Sequence, residues 1–392
     1  MNKDFRDPEL AGGLVKAIRR DINDLGRPVR LMEVCGTHTV AISRSGIRNL
    51  LDGVVELRSG PGCPVCVTSQ EDIDHMISLA YLPNTTVLTY GDMLRVPGAT
   101  GTLEEARAAG GDVRVLYSAL DGVRAAGAEP SRQFVFLAVG FETTAPGTAL
   151  AVKEAARRGL DNFTLHPAHK TIPAALRALL APARSQASTG SGGPPAIEGF
   201  ILPGHVSAVI GRKAYDFLAA DFGLPGVITG FEPVDILLAV RELVRSVMAR
   251  AGGKRVVNLY PRVVREDGNA RAQALTREVL EPCPSAWRGL GTIPDSGLTL
   301  REEWRAFNAV KRFAGAGGLQ SSLHPALGGS RSRAAGISAC RCGDVLRGLI
   351  AAPECPLFGR GCTPISPVGP CMVSSEGSCA AHYAHERRRH AR

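Results

Sequence analysis

Phe136-Leu137-Ala138-Val139-Gly140-Phe141-Glu142-Thr143 is an apolar run that stops at a glycine and opens into a stretch of helical character. Gly226-Val227-Ile228-Thr229-Gly230-Phe231-Glu232-Pro233 repeats the same succession further along the chain. Short runs rich in Val, Leu and Ile, each ending in a glycine-containing loop and followed by a helical pattern, are the rhythm of a parallel sheet. Working outward from these two stretches, the pattern predicts strands over 30–34, 54–58, 86–90, 113–117, 134–139, 196–202, 226–229 and 256–260. Helices are expected over 40–51, 69–80, 103–109, 144–158, 172–180, 206–218 and 234–251. Eight strands of this kind fit two open, doubly wound α/β units better than one closed barrel.

The expected fold class is therefore α/β, with two open parallel-sheet domains facing a cleft and a C-terminal cysteine-rich domain. The boundaries fall at 1–130, 131–315 and 316–392. Residues 185–195, rich in Ser, Gly and Pro, read as a surface loop within the second unit, because strand signals resume directly after them. The Gly- and Ser-rich stretch 315–332 reads as the boundary before the cysteine-rich segment.

Composition narrows the function classes. The 392 residues, 44% hydrophobic and 21% charged, allow two or three domains with their own cores and exclude a small disulfide-stapled scaffold. No run reaches the ~18–20 apolar residues of a membrane span, and the opening residues do not read as a signal peptide, so a cytoplasmic protein without membrane contact is expected. The net charge of +9 is spread along the chain apart from an arginine-rich tail, and aromatics are only 5%. Nucleic-acid binding would need a concentrated basic stripe with a recognition motif or stacking aromatics, and is not expected. Gly-x-Gly-x-x-Gly after a strand and a Gly-Lys-Ser/Thr phosphate loop are both missing, so the α/β pattern does not imply a nucleotide.

Ten cysteines are the informative excess. In a reducing compartment such residues are metal ligands or redox groups more often than staples. Cys35, Cys63 and Cys66 come early, Cys283 stands alone, and Cys340, Cys342, Cys355, Cys362, Cys371 and Cys379 crowd the end. Cys35-Gly36-Thr37-His38 follows a predicted strand and precedes a helix, where open α/β sheets place their sites. A thiolate at a helix N-terminus has a lowered pKa and is a soft metal ligand, and His38 can reach the same space; a packed Cys beside a capping His is the alternative. Gly60-Pro61-Gly62-Cys63-Pro64-Val65-Cys66 sets a Cys-x-x-Cys pair at another strand-to-helix turn, before the capping-box pattern Ser69-Gln70-Glu71-Asp72. That spacing puts two sulfurs within disulfide or chelate reach, and the helix dipole favours the thiolate.

Glu142, Glu232 and His205 also fall where strands hand over to helices, as candidates for acid/base or hydrogen-bonding work in a cleft between the units. Each would equally serve as a helix cap or as hydrogen-bonded structure. Thr89-Tyr90-Gly91-Asp92-Met93-Leu94-Arg95 and Asn258-Leu259-Tyr260-Pro261-Arg262 are similar strand-end polar clusters to which spacing assigns no chemistry. Near the end of the chain, Cys340, Cys355, Cys362 and Cys379 are separated by fourteen, six and sixteen residues of Gly- and Pro-rich sequence. Four thiolates in irregular backbone suit a 4Fe-4S cluster better than zinc, whose tight Cys-x-x-Cys knuckles are missing there. Six cysteines for four places leave Cys340 against Cys342, and Cys379 against Cys371, open.

Taken in order, the Cys35–His38 and Gly60–Cys66 motifs, Gly140-Phe141-Glu142-Thr143-Thr144, Pro203-Gly204-His205-Val206-Ser207, Gly230-Phe231-Glu232-Pro233, Cys342-Gly343-Asp344-Val345-Leu346-Arg347-Gly348 and Met372-Val373-Ser374-Ser375-Glu376-Gly377 resemble the HypD family of hydrogenase maturation proteins over essentially the whole chain. The resemblance implies two α/β domains, a C-terminal 4Fe-4S domain, and a cleft in which iron carrying one CO and two cyanides, Fe(CN)2CO, is assembled for nickel-iron hydrogenase. It implies as partners the small chaperone HypC, which supplies a cysteine ligand, and HypE with HypF as the source of cyanide. Carried onto this chain, Cys35 is the iron-binding thiolate with His38 beside it, Cys63 and Cys66 are the redox-active pair, and Cys340, Cys355, Cys362 and Cys379 hold the cluster. An iron-sulfur-dependent thiol-disulfide reductase and a zinc-stabilised interaction module are the competing readings.

Overall fold

The computed structural model describes residues 3–186, 197–249, 255–314 and 339–386. Of the expected loop at 185–195, residues 185 and 186 close the helix Ile172–Gln186 and residues 187–195 lie outside the described residues, as do the boundary at 315–332 and the arginine tail from 387. Eleven strands are described: β1 (Val29–Glu33), β2 (Val55–Ser59), β3 (Thr85–Thr89), β4 (Asp112–Val115), β5 (Gln133–Gly140), β6 (Phe163–Lys170), β7 (Gly199–Pro203), β8 (Gly226–Thr229), β9 (Val256–Asn258), β10 (Leu280–Trp287) and β11 (Gly291–Leu300). They form two sheets, β2-β1-β7-β8-β9 and β10-β11-β6-β5-β3-β4.

The first sheet is parallel throughout. The second is mixed: β4, β3, β5 and β6 run parallel, while β11 joins β6 and β10 joins β11 antiparallel. The expected α/β class with two sheets and a cysteine-rich C-terminal region holds, the second sheet extending its parallel strands with an antiparallel pair. The division at residue 130 does not separate the sheets. The chain lays down β1 and β2, leaves to build β3 to β6 of the second sheet, returns for β7 to β9, and leaves again for β10 and β11.

Alternation along β5 shows why both faces of a sheet are buried. Phe134, Phe136 and Ala138 join one core with the helices Ala119–Ala128 and Ala145–Arg157. Val135, Leu137 and Val139 join another, which continues to Phe200, Leu202 and Ile228 of the first sheet and on to the C-terminal cysteines. A third core packs the opposite face of the first sheet against the helices Pro8–Leu25 and Pro233–Met248. A two-residue side-chain period buried on both sides reads as a continuous apolar run, as expected of parallel strands.

The strands missed in the sequence share a cause. β6 carries Pro167, β10 carries Pro282 and Pro284, and β11 carries Pro294, all of which argue against a strand. β10 is an edge strand with a register shift between Cys283 and Ser285. β11 meets β6 only at His169 and Lys170 and asks nothing of Pro167.

Strand order fixes where a site can lie. Numbered within each sheet, β2-β1-β7-β8-β9 has the order 2-1-3-4-5, and β4-β3-β5-β6 has the order 2-1-3-4. In both, the direction of winding reverses beside the first strand, between β1 and β7 and between β3 and β5. Such switch points open a crevice at the carboxyl ends of the strands.

Candidate active site

The two crevices face one cleft of about 410 Å³. Val34, Cys35 and Thr37 after β1 and His205 after β7 line it from the first sheet. Tyr90, Gly91 and Asp92 after β3 and Phe141, Thr143 and Thr144 after β5 line it from the second, and Ser374 and Glu376 of the cysteine-rich region complete it. No lysine or arginine is among these residues, so the cleft presents carboxylates, a thiol and imidazole to a ligand.

Cys35 is the N-cap of the helix Gly36–Arg44. Burial pushes its thiol up to about 12, with the Glu376 and Glu33 charges adding to the rise; the amides of His38 and Thr37 pull the other way but do not win. The lowered pKa expected of a helix N-terminus is thus overridden by desolvation, which favours the neutral thiol. The loop of Gly60 to Gly62 packs directly on this turn. Gly36 N donates to Gly62 O at 2.9 Å and Gly60 N to Glu33 O at 2.7 Å. A Cβ on Gly62 would lie 2.1 Å from Cys35 N, so only glycine fits.

Beneath Cys35, the fully buried Glu33 accepts from Cys35 N at 3.2 Å and from Thr39 Oγ1 at 2.6 Å. Burial raises its carboxyl to about 7 against these hydrogen bonds. His38 is equally buried, with Nε2 2.8 Å from Gly230 O. A carbonyl there requires Nε2 to carry the proton and leaves Nδ1 as a lone-pair acceptor with no hydrogen-bond partner. Burial lowers His38 to about 4, so it is neutral at physiological pH. Phe231 lies between His38 and His205, with centroids 4.7 Å and 4.1 Å from the two rings.

Cys63 and Cys66 are joined as a disulfide across the short helix Pro64–Val67, and Cys66 N donates to Cys63 Sγ at 3.1 Å. The pair is buried, with 3% and 0% exposure, under the cleft-lining Pro64 and Val65. The next helix, Gln70–Leu79, is capped as its sequence predicts, Ser69 Oγ accepting from Asp72 N at 3.0 Å.

The acid/base candidates separate. His205 lines the cleft with its side chain exposed to it, and partial desolvation lowers its pKa. Glu142 is buried just behind the wall: one oxygen accepts from Ile172 N at 3.0 Å, the other has no partner, and burial raises the carboxyl to about 7. Glu232 does not line the cleft. It stands at the N-cap position of the helix Pro233–Met248 without a side-chain cap bond and instead pairs with Arg6 at 2.5 and 2.7 Å, which lowers its pKa. Two carboxylates missed as site residues do line it. Asp92 belongs to a cluster without assigned chemistry, and Glu376 comes from a segment distant in sequence; only the resemblance pointed toward the latter.

All six C-terminal cysteines line a single small cavity together with Val345, Leu357, Phe358 and Met372. Among the described residues no three His, Cys, Asp or Glu side chains form a closed ion-binding set, so these thiols surround the cavity rather than converge on one ion. Cys342 and Cys371 are the innermost, with sulfurs 2.6 Å apart. Hydrogen bonds from Cys340 and then Cys371 favour the Cys342 thiolate, while hydrogen bonds to Cys342 and then Cys379 push the Cys371 thiol up. Soft donors in an apolar, water-poor pocket fit an iron-sulfur cluster. Cys283, alone in sequence, lies on β10 in the neighbourhood of the buried Lys170 and takes no part in either site.

The family described as "HypD: Hydrogenase formation hypA family" matches residues 9–386. The hydrogenase maturation factor HypD of Rhizobium leguminosarum bv. viciae is 45% identical, over 98% of this chain and 95% of its own length. That of Rhodobacter capsulatus is 43% identical over 97% and 96%, and that of Escherichia coli K12 is 41% identical over 98% and 97%.

Proposed function

This chain belongs to the HypD family of hydrogenase maturation factors, and we propose on that premise that it is the scaffold on which Fe(CN)2CO is assembled for nickel-iron hydrogenase. The observation that carries the reading is Cys35, a buried thiol at the mouth of a switch-point crevice, facing a cleft lined by carboxylates and imidazole but by no lysine or arginine. Iron, as cargo, displaces the Cys35 proton and is held by the resulting thiolate together with a cysteine of a HypC-type chaperone. A soft thiolate suits low-spin iron with strong-field ligands. The neutral His38 offers its Nδ1 lone pair nearby, while Glu33 and Thr39 fix the turn that aims Cys35. HypE, with HypF, delivers cyanide already bound to a carrier, which accords with a cleft lacking any cation to hold a free anion.

Cys340, Cys355, Cys362 and Cys379 would hold a 4Fe-4S cluster, and Cys342 and Cys371, already paired with each other, are left over. When bound, the cluster supplies single electrons. The Cys63–Cys66 disulfide, in the same continuous core, is the redox partner of the cleft. Its burial weighs against a general thiol-disulfide reductase, because exchange requires a thiolate to reach one sulfur in line. No described helix is long and apolar enough to cross a membrane.

The test is complementation of a host lacking its own homologue. The wild-type chain restores hydrogenase activity, and Cys35→Ala does not, although its iron and sulfide content is unchanged. Full activity of Cys35→Ala refutes the scaffold role.

A further inference from the structure

The polar cluster after β3 has a use that its sequence does not disclose. Asp92, in the turn Gly91–Met93, accepts three hydrogen bonds on one carboxylate oxygen: from Ser374 Oγ at 2.9 Å, Ser375 N at 3.1 Å and Ser375 Oγ at 3.0 Å. All three donors belong to the cysteine-rich region, some 280 residues away in sequence. An acceptor-only group with three donors on one oxygen makes a strong charge-assisted anchor.

From the opposite wall, Thr37 Oγ1 donates to Glu376 Oε1 at 2.8 Å. The Glu376 backbone sits so close to Gly36 that a Cβ there would lie 2.8 Å from Glu376 O. Glu376 N in turn donates to Ser374 Oγ at 3.2 Å. The same segment is fixed at its far end: Ser378 Oγ lies 2.9 Å from Ser59 Oγ, and a Cβ on Gly377 would lie 2.1 Å from Cys371 O. Residues 374 to 376 are therefore a strap clamped between β3 and the Cys35 turn, whose flanking residues Cys371 and Cys379 line the cysteine cavity.

We propose that Asp92 is a positioning residue, a latch whose carboxylate holds this strap in the cleft and so ties the seating of Glu376 beside Cys35 to the arrangement of Cys371 and Cys379. A strap held at both ends cannot yield at one without shifting at the other. Release of Ser374 and Ser375 frees Glu376 from Thr37 and uncovers Cys35. The importance of the latch for maturation rests on the function proposed above; the latch itself does not.

The experiment uses the full chain isolated anaerobically, with amide hydrogen exchange over 374–378 and mass-spectrometric iodoacetamide labelling of Cys35 as paired readouts. In Asp92→Ala both rates rise by about tenfold, as loss of charge-assisted bonds at a local opening requires, while labelling of Cys283 in the second sheet is unchanged. The Ser374→Ala/Ser375→Ala pair reproduces both changes and adds nothing in the Asp92→Ala background. Asp92→Asn, which keeps a carbonyl acceptor, restores part of the protection and carries the test if Asp92→Ala does not fold. Faster exchange in the strap without faster labelling of Cys35 overturns the proposal, as does no change in either. Neither readout involves iron or hydrogenase, so this result and the maturation result fail independently.

Discussion

The cleft and the cysteine cavity both gather reactive side chains, but by different means. In the cleft every lining group except Ser374 and Glu376 belongs to the strand ends and strand-to-helix turns of the two sheets, so its position is inherited from the sheets and their switch points. In the cysteine cavity the donors sit on short helices and turns among Gly and Pro, and nothing periodic sets their order. Regular structure makes a site whose place can be deduced from strand order. Irregular structure makes one whose donors can be counted but not ranked.

Four sets of substitutions break or sharpen this contrast, in decreasing order of effect. Cys35→Ala abolishes maturation while the C-terminal iron and sulfide remain, because the cleft thiol and the cavity thiols are separate sets; this is read from hydrogenase activity beside metal and sulfide analysis. In the cavity, replacing Cys340, Cys355, Cys362 or Cys379 by Ser costs the cluster, whereas Cys342→Ser and Cys371→Ser retain it, as absorption spectra and iron content will report. Loss of the cluster in Cys342→Ser with retention in Cys340→Ser reverses that ranking.

Gly62→Ala tests how tightly the cleft depends on its backbone. A Cβ 2.1 Å from Cys35 N forces the two loops apart and costs about 2–4 kcal/mol in denaturant unfolding, against less than ~0.5 kcal/mol for alanine at the open Gly12 or Gly13 once helix propensity is allowed for. The smallest effect is at Glu142. Its carboxyl is raised from 4.5 to about 7 in the folded protein, so the unfolded chain ionises first and stability falls as pH rises from 4.5 through 7. Glu142→Gln, fixed in the neutral form, is close to neutral at pH 4.5 and stabilising by about 1–3 kcal/mol above pH 7. Equal effects at both pH values contradict a buried, protonated Glu142.

The two regions also differ in how much of them was legible in the sequence. The parallel strands of both sheets except β6 lie within a few residues of their predicted places, because buried βα units write an apolar run, a glycine and a helix cap into the chain. Cys35 and His205 line the cleft at strand ends, where that rule looks for them, whereas His38 is buried against Gly230 and does not line it. The interleaving of the two sheets was not legible, since hydrophobic periodicity says that a strand is buried but not which sheet receives it. Nor were β6, β10 and β11, whose prolines mimic loops. Asp92 and Glu376 escaped because their meaning lies in each other's neighbourhood, across some 280 residues of chain. Glu232 was misjudged for the converse reason: the same Gly-Phe-Glu motif leaves one glutamate buried behind the cleft and the other paired with Arg6.

The central claim is that Cys35 holds iron in this cleft. An infrared spectrum of the chain purified anaerobically with its maturation partners tests it most directly. The wild-type protein is expected to show bands of metal-bound CO and cyanide that are missing from Cys35→Ala of equal cluster content. Bands of equal strength in Cys35→Ala, or none in the wild type with partners present and the cluster intact, would contradict it.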